Sequence, residues 1–267
     1  MNILVCVKQV PDTTEIKIDP VTNTLIRAGV PSIVNPFDAY ALEVAAKIKD
    51  ANPGTVITIV SMGPEQAKEA LKSCLAVGGD KAYLVSDRAF GGSDTLATSY
   101  ILSTAIKAIE KTNGAAFDII FCGKQAIDGD TAQVGPEIAE HLDYPQVTYA
   151  VEASVENGKI KVKKETEAGY EVLEMAGPAV VTVTKTAFDP RYPSIKSKMA
   201  ANKAVIETLT SANLEIDLTK AGLKGSPTKV KKTFTPQLKK AGVRIQEETN
   251  ADSAKKLAAM LTDAGLI

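Results

Sequence analysis

The stretch GKQAIDGDTAQVGPE, residues 123–137, runs directly from an apolar, strand-like segment into a helical pattern. Gly123 and Gly129 allow close backbone approach, and a helix starting near Thr131 would aim free N–H groups and a partial positive charge at a ligand. A pyrophosphate suits that geometry. Asp128 and Asp130 would repel phosphates on contact, so Asp130 is expected to cap the helix and Asp128 to brace the loop or meet a sugar hydroxyl. Ser93-Asp94-Thr95 opens a second helix, and Thr95 and Thr98 share the face of its first turn, where hydroxyls and N–H groups suit a second phosphate. Asn35-Pro36-Phe37-Asp38 precedes a third helix; Asp38 is expected as its cap, leaving Asn35 free to read an adenine or ribose edge. Each pattern taken alone is also an ordinary capped turn.

Other chemistries lack their residues. No GxGxxG opens the first βα turn and no GxxxxGK[ST] occurs. Cys6, Cys74 and Cys122 show no CxxC spacing, and His141 is the single histidine, so neither a zinc site nor a disulfide framework can be assembled. Cys6 and Cys122 end buried strands and read as small core residues, and His141 as a helix C-terminal residue favoured by the dipole. Redox work by such a chain needs a cofactor.

The elements that must position these residues show in the periodicity. Apolar runs at residues 3–7, 56–61, 82–85 and 119–122 alternate with helical patterns on Leu42, Ala45 and Ile48, on Ala67, Leu71 and Leu75, on Ile101, Ala105 and Ile109, and on Val134, Ile138 and Leu142. That rhythm predicts βαβ units and an α/β fold with an open, mostly parallel sheet. Residues 147–184 change to alternating strands, with Glu156-Asn157-Gly158 as a hairpin turn in a β-meander. Ligands of open sheets sit beyond the carboxyl ends of the strands, here Cys6-Val7-Lys8, Ser61-Met62-Gly63-Pro64, residues 91–95 and Gly123-Lys124-Gln125. After Thr184 periodicity fails and prolines and lysines accumulate, before a short helix at 252–264 capped by Asp252. Residues 1–185 are therefore expected to form the nucleotide domain and 186–267 an extended C-terminal arm that orders against another polypeptide.

Of 267 residues, 45% are hydrophobic and 24% charged, with a formal net charge of −1. No apolar run is long enough to span a bilayer and the N-terminus has no basic leader, so no membrane insertion and a cytoplasmic location are expected. The near-neutral charge argues against nucleic acid. Residues 191–240 nevertheless carry 11 Lys and Arg against 3 Asp and Glu, a basic surplus suited to docking an acidic partner.

Four segments together resemble the beta subunit of electron-transfer flavoproteins: VCVKQVPD at 5–12, VNPFDAYALEVA at 34–45, GKQAIDGDTAQVGP at 123–136 and VKKETEAGYEVLEMAGPAVVTV at 162–183. Ala168 departs from the Gly, Asp or Glu usual in the last of these. The resemblance implies an adenine-nucleotide-binding, Rossmann-like domain whose C-terminal arm wraps the alpha subunit. It further implies either AMP, as in respiratory members, or a second FAD, as in bifurcating members of anaerobes. In the latter, FAD takes hydride from NADH and sends electrons to ferredoxin or flavodoxin and, through the alpha-subunit FAD, to an acyl-CoA dehydrogenase. Gly129, Thr131, Ala132, Val134, Pro136 and GSDTLATS at 92–99 resemble the bifurcating group. By that resemblance the cofactor is lined by Cys6, Asn35, Pro36, Phe37, Asp38, Met62, Asp94, Thr95, Thr98 and the loop Gly123, Lys124, Gln125, Asp128, Gly129, Asp130, Thr131, Ala132, Gln133 and Val134. Arg191, Tyr192 and Ile195 would contact the dehydrogenase, and Glu165 the alpha subunit. GGSDT at 91–95 also resembles the SGGxDS loop of ATP pyrophosphatases, but it follows the third strand, whereas theirs follows the first.

Overall fold

The computed structural model describes residues 1–12, 31–231 and 242–267. In chain order its elements begin with β1 (Asn2–Cys6), β2 (Gln9–Pro11), β3 (Ser32–Val34), α1 (Pro36–Ala51), β4 (Val56–Met62), α2 (Lys68–Ala76), β5 (Lys81–Val85), α3 (Thr95–Asn113), β6 (Ile119–Gly123) and α4 (Val134–Leu142). There follow β7 (Gln146–Glu156), β8 (Lys159–Thr166), β9 (Gly169–Met175), β10 (Ala179–Val183), α5 (Ile195–Lys203), β11 (Glu207–Leu209), α6 (Gly222–Gly225) and α7 (Asn250–Asp263).

β1 is apolar along nearly its whole length because helices cover both faces of the sheet. Ile3 and Val5 enter a layer with α1 and α2, whereas Leu4 and Cys6 enter a second layer with α3 and α4. The sheet order is β11-β5-β4-β1-β6-β10-β7-β8-β9. Every neighbouring pair from β11 to β7 is parallel; β7, β8 and β9 then form an antiparallel meander. Asn157 and Gly158, with φ of 52° and 77°, turn β7 into β8, both positive as a type I′ hairpin requires. After the meander the chain returns so that β10 slots between β6 and β7. The α/β, mostly parallel architecture is the one the periodicity predicts.

The domain boundary differs from the expected one. Residues 186–231 belong to the first unit, which spans Met1–Lys231, and only Lys232–Ile267 form a second. Arg191 reaches back to α1, where its guanidinium donates to Glu43 at 2.8 and 3.0 Å and to Asp50 at 2.7 Å. β11 extends the sheet by pairing with β5. This stretch has no core of its own because it borrows that of the α/β unit, so its sequence lacks periodicity. The basic stretch at 191–240 extends beyond the described residues, as does Pro236. In the second unit α7 is capped by Thr249, whose Oγ1 accepts from Asp252 N at 3.1 Å, not by Asp252. No helix among the described residues is long and apolar enough to cross a membrane.

Candidate functional site

The strand order reverses at β1. The chain builds outward through β4 and β5 on one side, then crosses to β6 on the other. Such a switch point opens a crevice beyond the carboxyl ends of the two central strands. Asp38, buried in the first turn of α1, ties those ends together: it accepts from Lys8 N at 2.7 Å and Gly123 N at 3.1 Å. Burial pushes its pKa up to about 7, against the lowering effect of hydrogen bonds from Asn35, Lys8 and Gly123. A side chain at Gly123 would collide with Asp38 Oδ1. Asn35, not Asp38, occupies the cap position of α1, and it makes no side-chain cap bond. It is not free to read a base either, being 0% exposed. Its Nδ2 donates to Gln125 O at 2.8 Å and its Oδ1 accepts from Ile127 N at 3.1 Å. Lys8 Nζ meets Asp128 at 2.6 Å, so Asp128 braces the loop. Asn35, Asp38 and Lys8 thus zip the β6–α4 loop onto the end of β1, one role for three residues whose local patterns suggested separate ones.

That loop is longer than expected. α4 begins at Val134 rather than near Thr131, and Asp130 is not its cap. Asp130 and Ala132 hold left-handed backbone, with φ of 52° and 54°, which postpones the helix. Asp130 instead accepts from Gln125 Nε2 at 2.7 Å. Gln133, at the cap position, is right-handed and makes no side-chain cap bond. A left-handed residue followed by a right-handed one, as at Ala132-Gln133, forms a concave pair of N–H groups suited to an anion. The space beside Gly129 is open, with nothing within 4 Å of where a Cβ would stand. α3 starts where expected: Asp94 Oδ1 accepts from Ala97 N at 3.0 Å. The Thr95 hydroxyl lies 3.1 Å from Gln133 Oε1 and 3.2 Å from Glu137 Oε1, so one side chain joins the starts of both helices. Thr98 follows in the same turn, its N donating to Asp94 O at 2.9 Å.

Cys6 and Cys122 stand in register on β1 and β6, both buried, and form part of the crevice floor. The Cys122 thiol donates to the Cys6 sulfur, and this hydrogen bond together with burial holds it well above its ordinary range, so it is no nucleophile. Met62 is half-buried at the end of β4, and Pro36 and Phe37 open α1. Lys124 N donates to Val183 O at 2.7 Å, and its ammonium sits 5.0 Å from the Tyr149 ring. Thr131 is exposed and Val134 half-buried. Glu137 was not anticipated; its Oε2 is buried without a hydrogen-bond partner among the described residues. Ser226 and Thr228, which bind Asp94, were hidden in the irregular stretch. No cluster suited to a metal ion occurs among the described residues.

A family model described as the electron transfer flavoprotein domain matches residues 22–214. The electron transfer flavoprotein subunit beta of Megasphaera elsdenii is 53% identical over 255 residues, covering 95% of this chain and 94% of that one. This chain belongs to the electron transfer flavoprotein family. Similarity to the caffeyl-CoA reductase-Etf complex subunit CarD of Acetobacterium woodii is 48% identity over 267 residues, 100% of both chains. Protein FixA of Azotobacter vinelandii is 44% identical over 256 residues, covering 94% of this chain and 90% of its own.

The electron transfer flavoprotein residues expected to face partners are divided by the structure. Tyr192 and Ile195 are 92% and 81% exposed. Ile195 opens α5, where Ser194 Oγ accepts from Ser197 N at 3.0 Å and fixes the turn. Arg191 pairs doubly with Glu43 and Asp50, which holds the guanidinium against α1 and raises its already high pKa. It anchors the segment to α1. Beneath that segment, between α1, α2 and α5, lies a cavity of about 380 Å³ lined by Leu42, Cys74, Val77, Pro193 and Ala201, apart from the crevice. Glu165 is exposed on β8, opposite Tyr170 of the edge strand β9.

Proposed function

We propose that this chain is the beta subunit of a bifurcating electron transfer flavoprotein, working in the cytoplasm as a heterodimer with an alpha subunit and holding FAD, not AMP, in the crevice above β1 and β6. The observation that carries the reading is the junction of the α3 and α4 starts at Thr95, beside the Ala132-Gln133 N–H pair. Two helix starts supply two anion positions, which a pyrophosphate uses and AMP does not need. The open space beside Gly129 gives the backbone approach that such a ligand requires.

When bound, the flavin supplies hydride acceptance from NADH and delivery of electrons to ferredoxin or flavodoxin and, through the alpha-subunit FAD, to an acyl-CoA dehydrogenase. The chain's own part is positional. Asp38 fixes the strand ends, Asn35 and Lys8 hold the loop, and Thr95 sets the distance between the two helix starts. Ile195 and Tyr192, exposed beside the basic side chains of α5, suit an apolar anchor with a polar rim for the dehydrogenase. Glu165 is assigned to the alpha-subunit contact, and the second unit with α7 to the arm along that subunit. CarD, which its name places in a reductase-Etf complex, supports the reading by its end-to-end similarity.

Gly129→Val tests the site. A Cβ added at Gly129 has no described atom within 4 Å, so the fold should be retained while the ligand's approach is blocked. Equilibrium dialysis of FAD against nucleotide-stripped heterodimer should show at least tenfold weaker binding at the beta site. Unchanged binding would move the ligand away from this loop.

A further inference from the structure

The turn that leads into α3 is held from outside by a segment more than a hundred residues later. Leu223 N donates to Gly91 O at 3.1 Å and Gly222 N to Ser93 Oγ at 3.1 Å. Asp94 N donates to Ser226 Oγ at 2.8 Å, and the buried Ser226 hydroxyl donates onward to Gly222 O at 2.8 Å. The fit has no slack, because a side chain at Gly222, whose φ is +61°, would collide with the Ala89 carbonyl. The Asp94 carboxylate is divided: Oδ1 caps α3 through Ala97 N at 3.0 Å, while Oδ2 accepts from Thr228 N at 2.9 Å and Thr228 Oγ1 at 2.7 Å. Capping α3 needs only the first oxygen. The second ties the helix start to a strap that includes Thr228, just before Lys231, where the first unit ends.

Both oxygens and the N–H of Asp94 are therefore committed within the chain. This residue is better placed to orient the turn than to touch a ligand directly. Thr95, the next residue, is the one that joins the α3 and α4 starts.

We propose that Ser226 and Thr228 are positioning residues that latch the first turn of α3, through Asp94, in the geometry that receives the nucleotide's phosphate. The inference rests on the nucleotide reading given under the proposed function. Its consequence is reciprocal: whatever pulls Ser226 and Thr228 away from the turn weakens the nucleotide, and a bound nucleotide tightens the strap. The chain that leads to the second unit thus adjusts the cofactor site without touching it.

The test uses the nucleotide-stripped heterodimer and two probes, FAD and AMP, with affinity, melting temperature and amide exchange of Ala97 and Thr98 all measured. In Ser226→Ala/Thr228→Val, the nucleotide that wild type takes should bind about tenfold more weakly, and both amides should exchange faster in the absence of ligand. Thr228→Ser, which keeps the hydroxyl, should bind within twofold of wild type. A purely structural role would lower the melting temperature of the double variant and leave affinity within twofold of wild type, and that result overturns the latch. Wild-type heterodimer that binds neither FAD nor AMP would bring down the cofactor reading itself, and the latch with it.

Discussion

Asp38 shows how one buried carboxylate organises the crevice, joining the ends of β1 and β6 through Lys8 N and Gly123 N. Its pKa, raised from 3.8 to about 7, has a signed consequence. Between these values the folded chain keeps a proton that the unfolded chain has released, so this group's contribution to stability falls as pH rises. Asp38→Asn cannot titrate, so the stability advantage of wild type over this variant should shrink from pH 4 to pH 7. The full shift corresponds to ~4 kcal/mol as an upper bound. Denaturant unfolding of both proteins across that window checks it; a constant difference would mean that Asp38 is ionised throughout. From sequence, Asp38 and Asn35 read as a cap and a free reader because a capping pattern fixes only local neighbours. Their real partners, Gly123, Gln125 and Ile127, lie roughly ninety residues away and are brought to them by the parallel register of β1 and β6.

Among the elements, those with strong periodicity were legible: β1, β4, β5 and β6, the four helices between and after them, and the start of α3 at Asp94-Thr95. The start of α4 was not, since Asp130 and Ala132 adopt left-handed backbone that non-glycine side chains rarely announce. The sequence of the segment from Arg191 to α5 shows no anchor, because that anchor is the pairing of Arg191 with Glu43 and Asp50 on α1, far earlier in the chain. That anchor leaves Ile195 free to project. Ile195→Asp should leave the melting temperature within about 2 °C, as expected for a surface change. Electron delivery to the dehydrogenase should slow at least tenfold, since a charge would be desolvated at the contact. Measuring both in one preparation separates the roles, and parallel loss of stability and delivery would mark Ile195 as a residue of its own fold.

At the scale of the whole molecule, a nine-stranded α/β unit carries the crevice, and a second unit from Lys232 carries a helix none of whose described residues is buried. An exposed helix on a separate unit suits a chain that completes itself against a partner, and within the first unit Ser226 and Thr228 hold the helix start beside the crevice. The crevice is proposed to hold a full FAD beside the one belonging to the alpha subunit. Acid extraction of the purified heterodimer, followed by chromatography of the released nucleotides, measures this directly. Two FAD and no AMP per heterodimer is the predicted result; one FAD with one AMP would contradict it.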